Sequence, residues 1–150
     1  MSVDVQIASG AGVLPAPGDI KKWADATLEE VAEVEEPPDL CIRLVDAPES
    51  RALNCRYRGF DMPTNVLSFP AEAEVPGPRL LGDLVICAPV VRSEARTQDK
   101  AANDHFAHMV VHGVLHLLGH DHEDRKAASQ MEALELRVLG RFGVSDPYLQ

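Results

Sequence analysis

Residues 3–8 (VDVQIA) alternate apolar and polar side chains in the period-2 pattern of a half-buried strand. After a Gly/Pro-rich loop, Ile20, Trp23, Ala24, Leu28, Val31 and Ala32 recur at spacings of three and four. This predicts an amphipathic helix from Asp19 to Glu35, acidic on its outer face and stopped by Pro37 and Pro38. Residues 40–45 (LCIRLV) read as a second strand and the segment Pro48 to Asn54 as a short helix. YRGFDMPTN is a loop by its Gly, Asp, Pro and Asn content. VLSF and LGDLVIC then flank a reversal at Pro76, Gly77 and Pro78, which predicts an antiparallel pair. Three helices follow, over about 88–99, 102–118 and 124–140. Strands mainly early and helices mainly late indicate an α+β fold, a small mixed four-stranded sheet with about five helices packed on one face.

A length of 150 residues with 45% hydrophobic and 25% charged side chains suits a single domain, 1–150, burying about 70% of the surface of its unfolded form. No stretch approaches the roughly 20 apolar residues of a membrane span, and MSVDVQIASGAG has no basic segment ahead of an apolar run, so a cytoplasmic location is expected. Cys41, Cys55 and Cys87 are odd in number and widely spaced, which argues for reduced thiols rather than a disulfide framework or a cysteine zinc site. The net charge of −10 is concentrated in residues 1–40, with 9 acidic and 2 basic groups. Such a chain binds nucleic acid poorly without a local basic patch, and Arg43, Arg51, Arg56 and Arg58 form the obvious candidate.

All six histidines (His105, His108, His112, His116, His120 and His122) fall within 18 residues. His112 and His116 are one helical turn apart, so two imidazoles on one face can share a metal. Gly119 can take the left-handed conformation that ends a helix, returning His122 toward the same ion from the turn beyond. The string HGVLHLLGHDH has the spacing of the metzincin signature HExxHxxGxxH. Three neutral imidazoles leave a fourth tetrahedral position of Zn²⁺ open to water, the mark of a catalytic site, and zinc can lower the pKa of that water to about 7. His105, His108 and His120 are read as packing or supporting residues. The glutamate that serves metzincin proteases as general base is here Gly113, which disfavours peptide hydrolysis by that route. Asp83, Asp121, Glu123 and Arg58 are the candidates for base or charge stabiliser.

Arg58 is placed by the sequence on a loop ahead of a strand, where a guanidinium can meet a phosphate bidentately and stabilise charge developing on its oxygens. The blocks LNCRYRGFDMPTNVLSFP, LGDLVICAPVV and HMVVHGVLHLLGHDHEDRKAASQMEALE, closing with DPY, resemble the YbeY family of bacterial rRNA-maturation endoribonucleases over about residues 40–148. The resemblance implies an endonuclease with one zinc ion, acting on single-stranded rRNA in 16S rRNA 3′-end maturation and ribosome quality control. It also implies contacts with a small-subunit ribosomal protein and an assembly GTPase, with no DNA and no membrane. By position it assigns His112, His116 and His122 as zinc ligands, Arg58 as a catalytic or RNA-contacting arginine, and Asp83 as a further catalytic candidate. The family often has tyrosine where this chain has His120. Two alternatives stand beside this reading: a hydrolase of another bond, and an assembly-type binding factor with a structural metal.

Overall fold

The computed structural model describes residues 3–31, 39–71, 80–121 and 123–148. The expected helix stop at Pro37 and Pro38, the reversal at Pro76 to Pro78, and His122 lie outside these residues. The elements run β1 (Val3–Ala8), α1 (Pro17–Val31), β2 (Asp39–Val45), α2 (Ala47–Arg58), β3 (Val66–Pro70), β4 (Leu80–Cys87), α3 (Ala88–Thr97), α4 (Ala102–Leu117) and α5 (Arg125–Gly140). The sheet order is β1-β2-β4-β3, with β1/β2 and β2/β4 parallel and β3/β4 antiparallel. The fold is therefore α+β with a mixed four-stranded sheet and five helices, as expected.

The sheet buries apolar residues on one face and, near α2, on the other as well, and this positions everything else. Leu40, Ile42, Leu44, Leu84 and Ile86 point into the main core beneath α1 and α4. Alternate residues Val45, Val85 and Cys87, with Leu67 of β3, form a second cluster against Ala47 and Leu53 of α2. The expectation of helices on one face thus holds for α1 and α4, whereas α2 covers the other side. The reason lies in β4, whose run LVIC leaves no face that water can solvate. α4 is buried nearly all round, from His105 to Leu117, because α1, α3, α5 and the sheet surround it.

α2 runs further than its sequence suggests, through Cys55 to Arg58, and ends at Gly59, whose φ of 78° is left-handed. The Gly59 and Phe60 amides return to the carbonyls of Cys55 and Asn54 at 3.1 and 3.4 Å, closing the helix. Arg58 is therefore the last helical residue and not part of the loop. Two buried polar side chains of α2 hold the loop that follows. Ser50 bonds both the carbonyl and the amide of Thr64 (3.1 and 3.0 Å), and Asn54 donates to the Met62 carbonyl at 2.8 Å. Gly82 in β4 has φ 149°, and a Cβ there would sit 2.4 Å from the Phe69 carbonyl oxygen, so only glycine lets β3 approach.

Candidate metal centre

The histidine face of α4 owes its order to one acid. Glu135 of α5 occupies the i+4 position between Met131 and Leu139, on the helix's buried stripe, and is 0% exposed. Its Oε1 accepts from His112 Nδ1 at 2.7 Å, and its Oε2 accepts from His108 Nε2 at 3.1 Å and from the Tyr148 hydroxyl at 2.5 Å. Burial pushes its pKa up, but the hydrogen bonds from His108, His112 and Tyr148 outweigh that and hold it at about 2. An ionised carboxylate only accepts, so the His112 nitrogen facing it carries the proton. The lone pair of His112 is then on Nε2.

His116 shows the same polarity. Its Nδ1 donates to the His120 carbonyl at 3.0 Å across the turn, where Gly119 has the expected left-handed φ, 99°. Its lone pair is therefore also on Nε2. The His112 and His116 rings lie nearly parallel, 8° apart with centroids separated by 6.3 Å, His112 half-buried and His116 exposed. Two imidazoles whose Nδ1 protons are engaged by acceptors suit metal ligation through Nε2. Among the described residues, His108, His112 and Glu135 also bring ligand-type atoms within 4.8 Å of one another, a group that could bind a metal.

Gly113, the departure from the metzincin pattern, faces the sheet rather than the histidine face. A Cβ at that position would lie 2.8 and 3.0 Å from the Leu84 methyl carbons and 3.3 Å from Val66 Cγ2. His105, one turn before His108, is buried with its Nε2 2.9 Å from Glu94, which also meets the Asn65 amide at 3.2 Å. Desolvation lowers the His105 pKa despite that carboxylate. The expected supporting roles thus fall to His108, which bonds Glu135, and to His120, which offers its carbonyl to His116.

The arginine cluster divides into spent and available cations. Arg43 forms a forked pair with Glu49 (2.6 and 2.9 Å), and Arg51 one with Asp61 (2.7 and 3.0 Å). Arg56 lies 5.3 Å from the Tyr57 ring centre, and Arg58 donates to the Ser68 carbonyl at 2.9 Å beside the Phe69 ring. Ser68 Oγ in turn approaches the Gly113 carbonyl at 3.5 Å, so a short polar chain connects Arg58 with the α4 turn that bears His112. Tyr57, Phe60 and Met62 are more than half exposed around these two arginines.

The structure does not bring Asp83 to the histidines. It is exposed on the same face of β4 as Val85, across the sheet from α4, where it lines a cavity of about 540 Å³ with Cys41, Arg43 and Tyr57. Burial and the adjacent Asp83 carboxylate raise the Cys41 pKa, so its thiol is not activated. Strand alternation is the cause: Leu84 points to the core under α4, and its neighbour must point away. Asp121 bonds the Glu123 amide at 3.2 Å within its own turn. Sequence reasoning passed over Glu135 and Tyr148, although a glutamate on the apolar stripe of α5 was a visible signal.

A family model described as "Endoribonuclease YbeY" matches residues 13–143. Relatives named "Endoribonuclease YbeY" include one from Stenotrophomonas maltophilia strain R551-3, 51% identical and aligned over 99% of this chain and 93% of its own. Another, from Alkalilimnicola ehrlichii, is 51% identical over 99% of this chain and 90% of its own. A Thermotoga maritima protein of known solution structure shares the fold, with a TM-score of 0.57 and 24% identity, covering 99% of this chain and 100% of that one.

Proposed function

Because the chain belongs to the YbeY family of endoribonucleases, we propose that it is a zinc-dependent, single-strand-specific endoribonuclease that matures the 3′ end of small-subunit rRNA and serves ribosome quality control. It does so as one domain, in the cytoplasm; among the described residues no helix is long and apolar enough to cross a membrane. The observation that carries the reading is the shared orientation of His112 and His116, each with Nδ1 held by an acceptor, which puts the ring's lone pair on Nε2. His112, His116 and His122 would hold the one zinc ion.

Zinc in that position supplies Lewis acidity and lowers the pKa of a water molecule. The remaining work belongs to the chain. Glu135 keeps the His112 proton on Nδ1, and the His120 carbonyl does the same for His116. Arg58, with one donor on Ser68, directs the rest of its fork at the non-bridging oxygens of the scissile phosphate and stabilises their growing charge. Tyr57 and Phe60, exposed beside Arg56 and Arg58, suit stacking on unpaired bases, which favours single strands. Asp83 lies across the sheet from the histidines, in the cavity with Cys41, Arg43 and Tyr57.

An overall charge of −10 leaves only Arg56 and Arg58 of the cluster without a carboxylate partner among the described residues. Free RNA is therefore bound weakly and with salt sensitivity. A ribosomal small-subunit protein and an assembly GTPase would bring the enzyme to its site. The test is cleavage of a labelled single-stranded rRNA fragment by wild type, Arg58→Ala, His112→Ala and zinc-stripped protein, identically purified. Loss of cutting in all three folded controls supports the proposal. Equal cutting by the controls marks contamination and refutes it.

A further inference from the structure

Tyr148 sits beyond α5 and is 43% exposed, yet its hydroxyl reaches inward to the fully buried Glu135 at 2.5 Å. Its ring stands edge-on to His108, with centroids 5.5 Å apart. The local turn is fixed by Asp146, whose carboxylate accepts the Tyr148 amide at 2.8 Å. Of the described residues after α5, only Val144 packs against the main apolar core, so the hydroxyl is a principal anchor of the segment.

Resting on the zinc reading above, we infer that Glu135 and Tyr148 are positioning residues for His112, the C-terminal segment acting as a latch on the carboxylate that orients this ligand. The distances separate this role from direct ligation. Two ligands of one zinc, each about 2.0–2.1 Å from the ion, lie roughly 3.3 Å apart in a tetrahedron. The 2.7 Å between His112 Nδ1 and Glu135 and the 2.5 Å between Tyr148 and Glu135 are instead proton-sharing contacts. Glu135 thus stands behind His112, on the side away from Nε2. Its Oε1 serves His112 alone among these three partners, while Oε2 is pinned by both His108 and Tyr148. Removing the Tyr148 hydroxyl leaves Oε2 on the longer His108 bond, and the carboxylate gains freedom to pivot and carry the His112 ring with it.

The test measures the zinc dissociation constant of the full chain by competition with a chromophoric chelator, for wild type, Tyr148→Phe, Glu135→Gln and His112→Ala. Circular dichroism and melting of each metal-free protein accompany it. Glu135→Gln is expected to weaken zinc binding about 10–100-fold, the usual effect of losing a partner behind a ligand. Tyr148→Phe, one bond further out, is expected to weaken it about threefold to tenfold while the protein stays folded. Wild-type affinity in folded Tyr148→Phe, even with a lower melting temperature, would overturn the inference, because a tail that only packs lowers stability without touching the ligand. If Glu135→Gln does not fold, Tyr148→Phe decides alone. Undiminished affinity in His112→Ala would remove the zinc reading itself, a pattern distinct from failure of the latch.

Discussion

Gly113 of α4 and Leu84 of β4 are in such close register that a Cβ on the glycine would stand 2.8 Å from a Leu84 methyl carbon. The helix that carries the histidines is therefore seated directly on the sheet, and the position where metzincin proteases keep their base is closed to any side chain. Gly113→Ala should lose about 1–3 kcal/mol to overpacking, partly offset by about 1 kcal/mol of helix propensity. Leu84→Ala in the same chain should relieve the clash, so urea unfolding of both single variants and the double variant should be non-additive. Gly113→Glu should cost at least about 3 kcal/mol, since the carboxylate would be buried without a partner.

Gly82 presents a stricter case, because its neighbour is backbone. At φ 149° with the Phe69 carbonyl 2.4 Å from the missing Cβ, nothing nearby can rotate out of the way. Gly82→Ala is expected to destabilise by about 2–4 kcal/mol, combining dihedral strain and overpacking. The loss should appear as a lower urea midpoint, with amide exchange accelerated first along the β3/β4 ladder.

Acidification should act through His105. Desolvation depresses its folded pKa below the usual 6.5, against the pull of Glu94. The unfolded chain consequently binds this proton more readily than the native one. The stability His105 contributes is present above pH 6.5 and is lost as pH falls from there through the depressed folded value. Replacing it with glutamine, which cannot charge, should flatten the fall in stability between pH 7 and pH 5. An unchanged slope would assign the acid sensitivity elsewhere.

Zinc removal should leave the fold standing. The core under α4 is built from the apolar side chains of Ile42, Leu44, Leu84, Phe106, Leu115 and their neighbours. Chelation is expected to lower the melting temperature by the linkage free energy of the lost ion and to leave the far-ultraviolet dichroism nearly unchanged. Collapse of the dichroism would instead mark a structural metal.

The strands and long helices were legible because their apolar periods match their burial: Ile42 and Leu44 alternate as a strand should, and Met131, Val138 and Leu139 trace one stripe of α5. The spacing of His112 and His116 likewise gave their common face. The end of α2 was hidden because Cys55 to Arg58 carry no apolar period, and only the cap at Gly59 shows where the helix stops. The side taken by Asp83 depended on the phase of β4, which is set by Leu84 against α4 and by no signal within LGD itself. Glu135 stood out on the apolar stripe of α5, but its partnership with His112 and Tyr148 was obscured by distance, since it exists only after three segments meet.

Arg58 also has a consequence for reading any inactive variant. β3 is an outer strand, and the Arg58 guanidinium covers the Ser68 carbonyl on it. An uncovered carbonyl on such a strand is an invitation to a neighbouring molecule to extend the sheet. Truncating Arg58 therefore removes a guard against self-association together with the phosphate contact proposed for it, and the two losses part company only when activity is compared at matched monomer concentration.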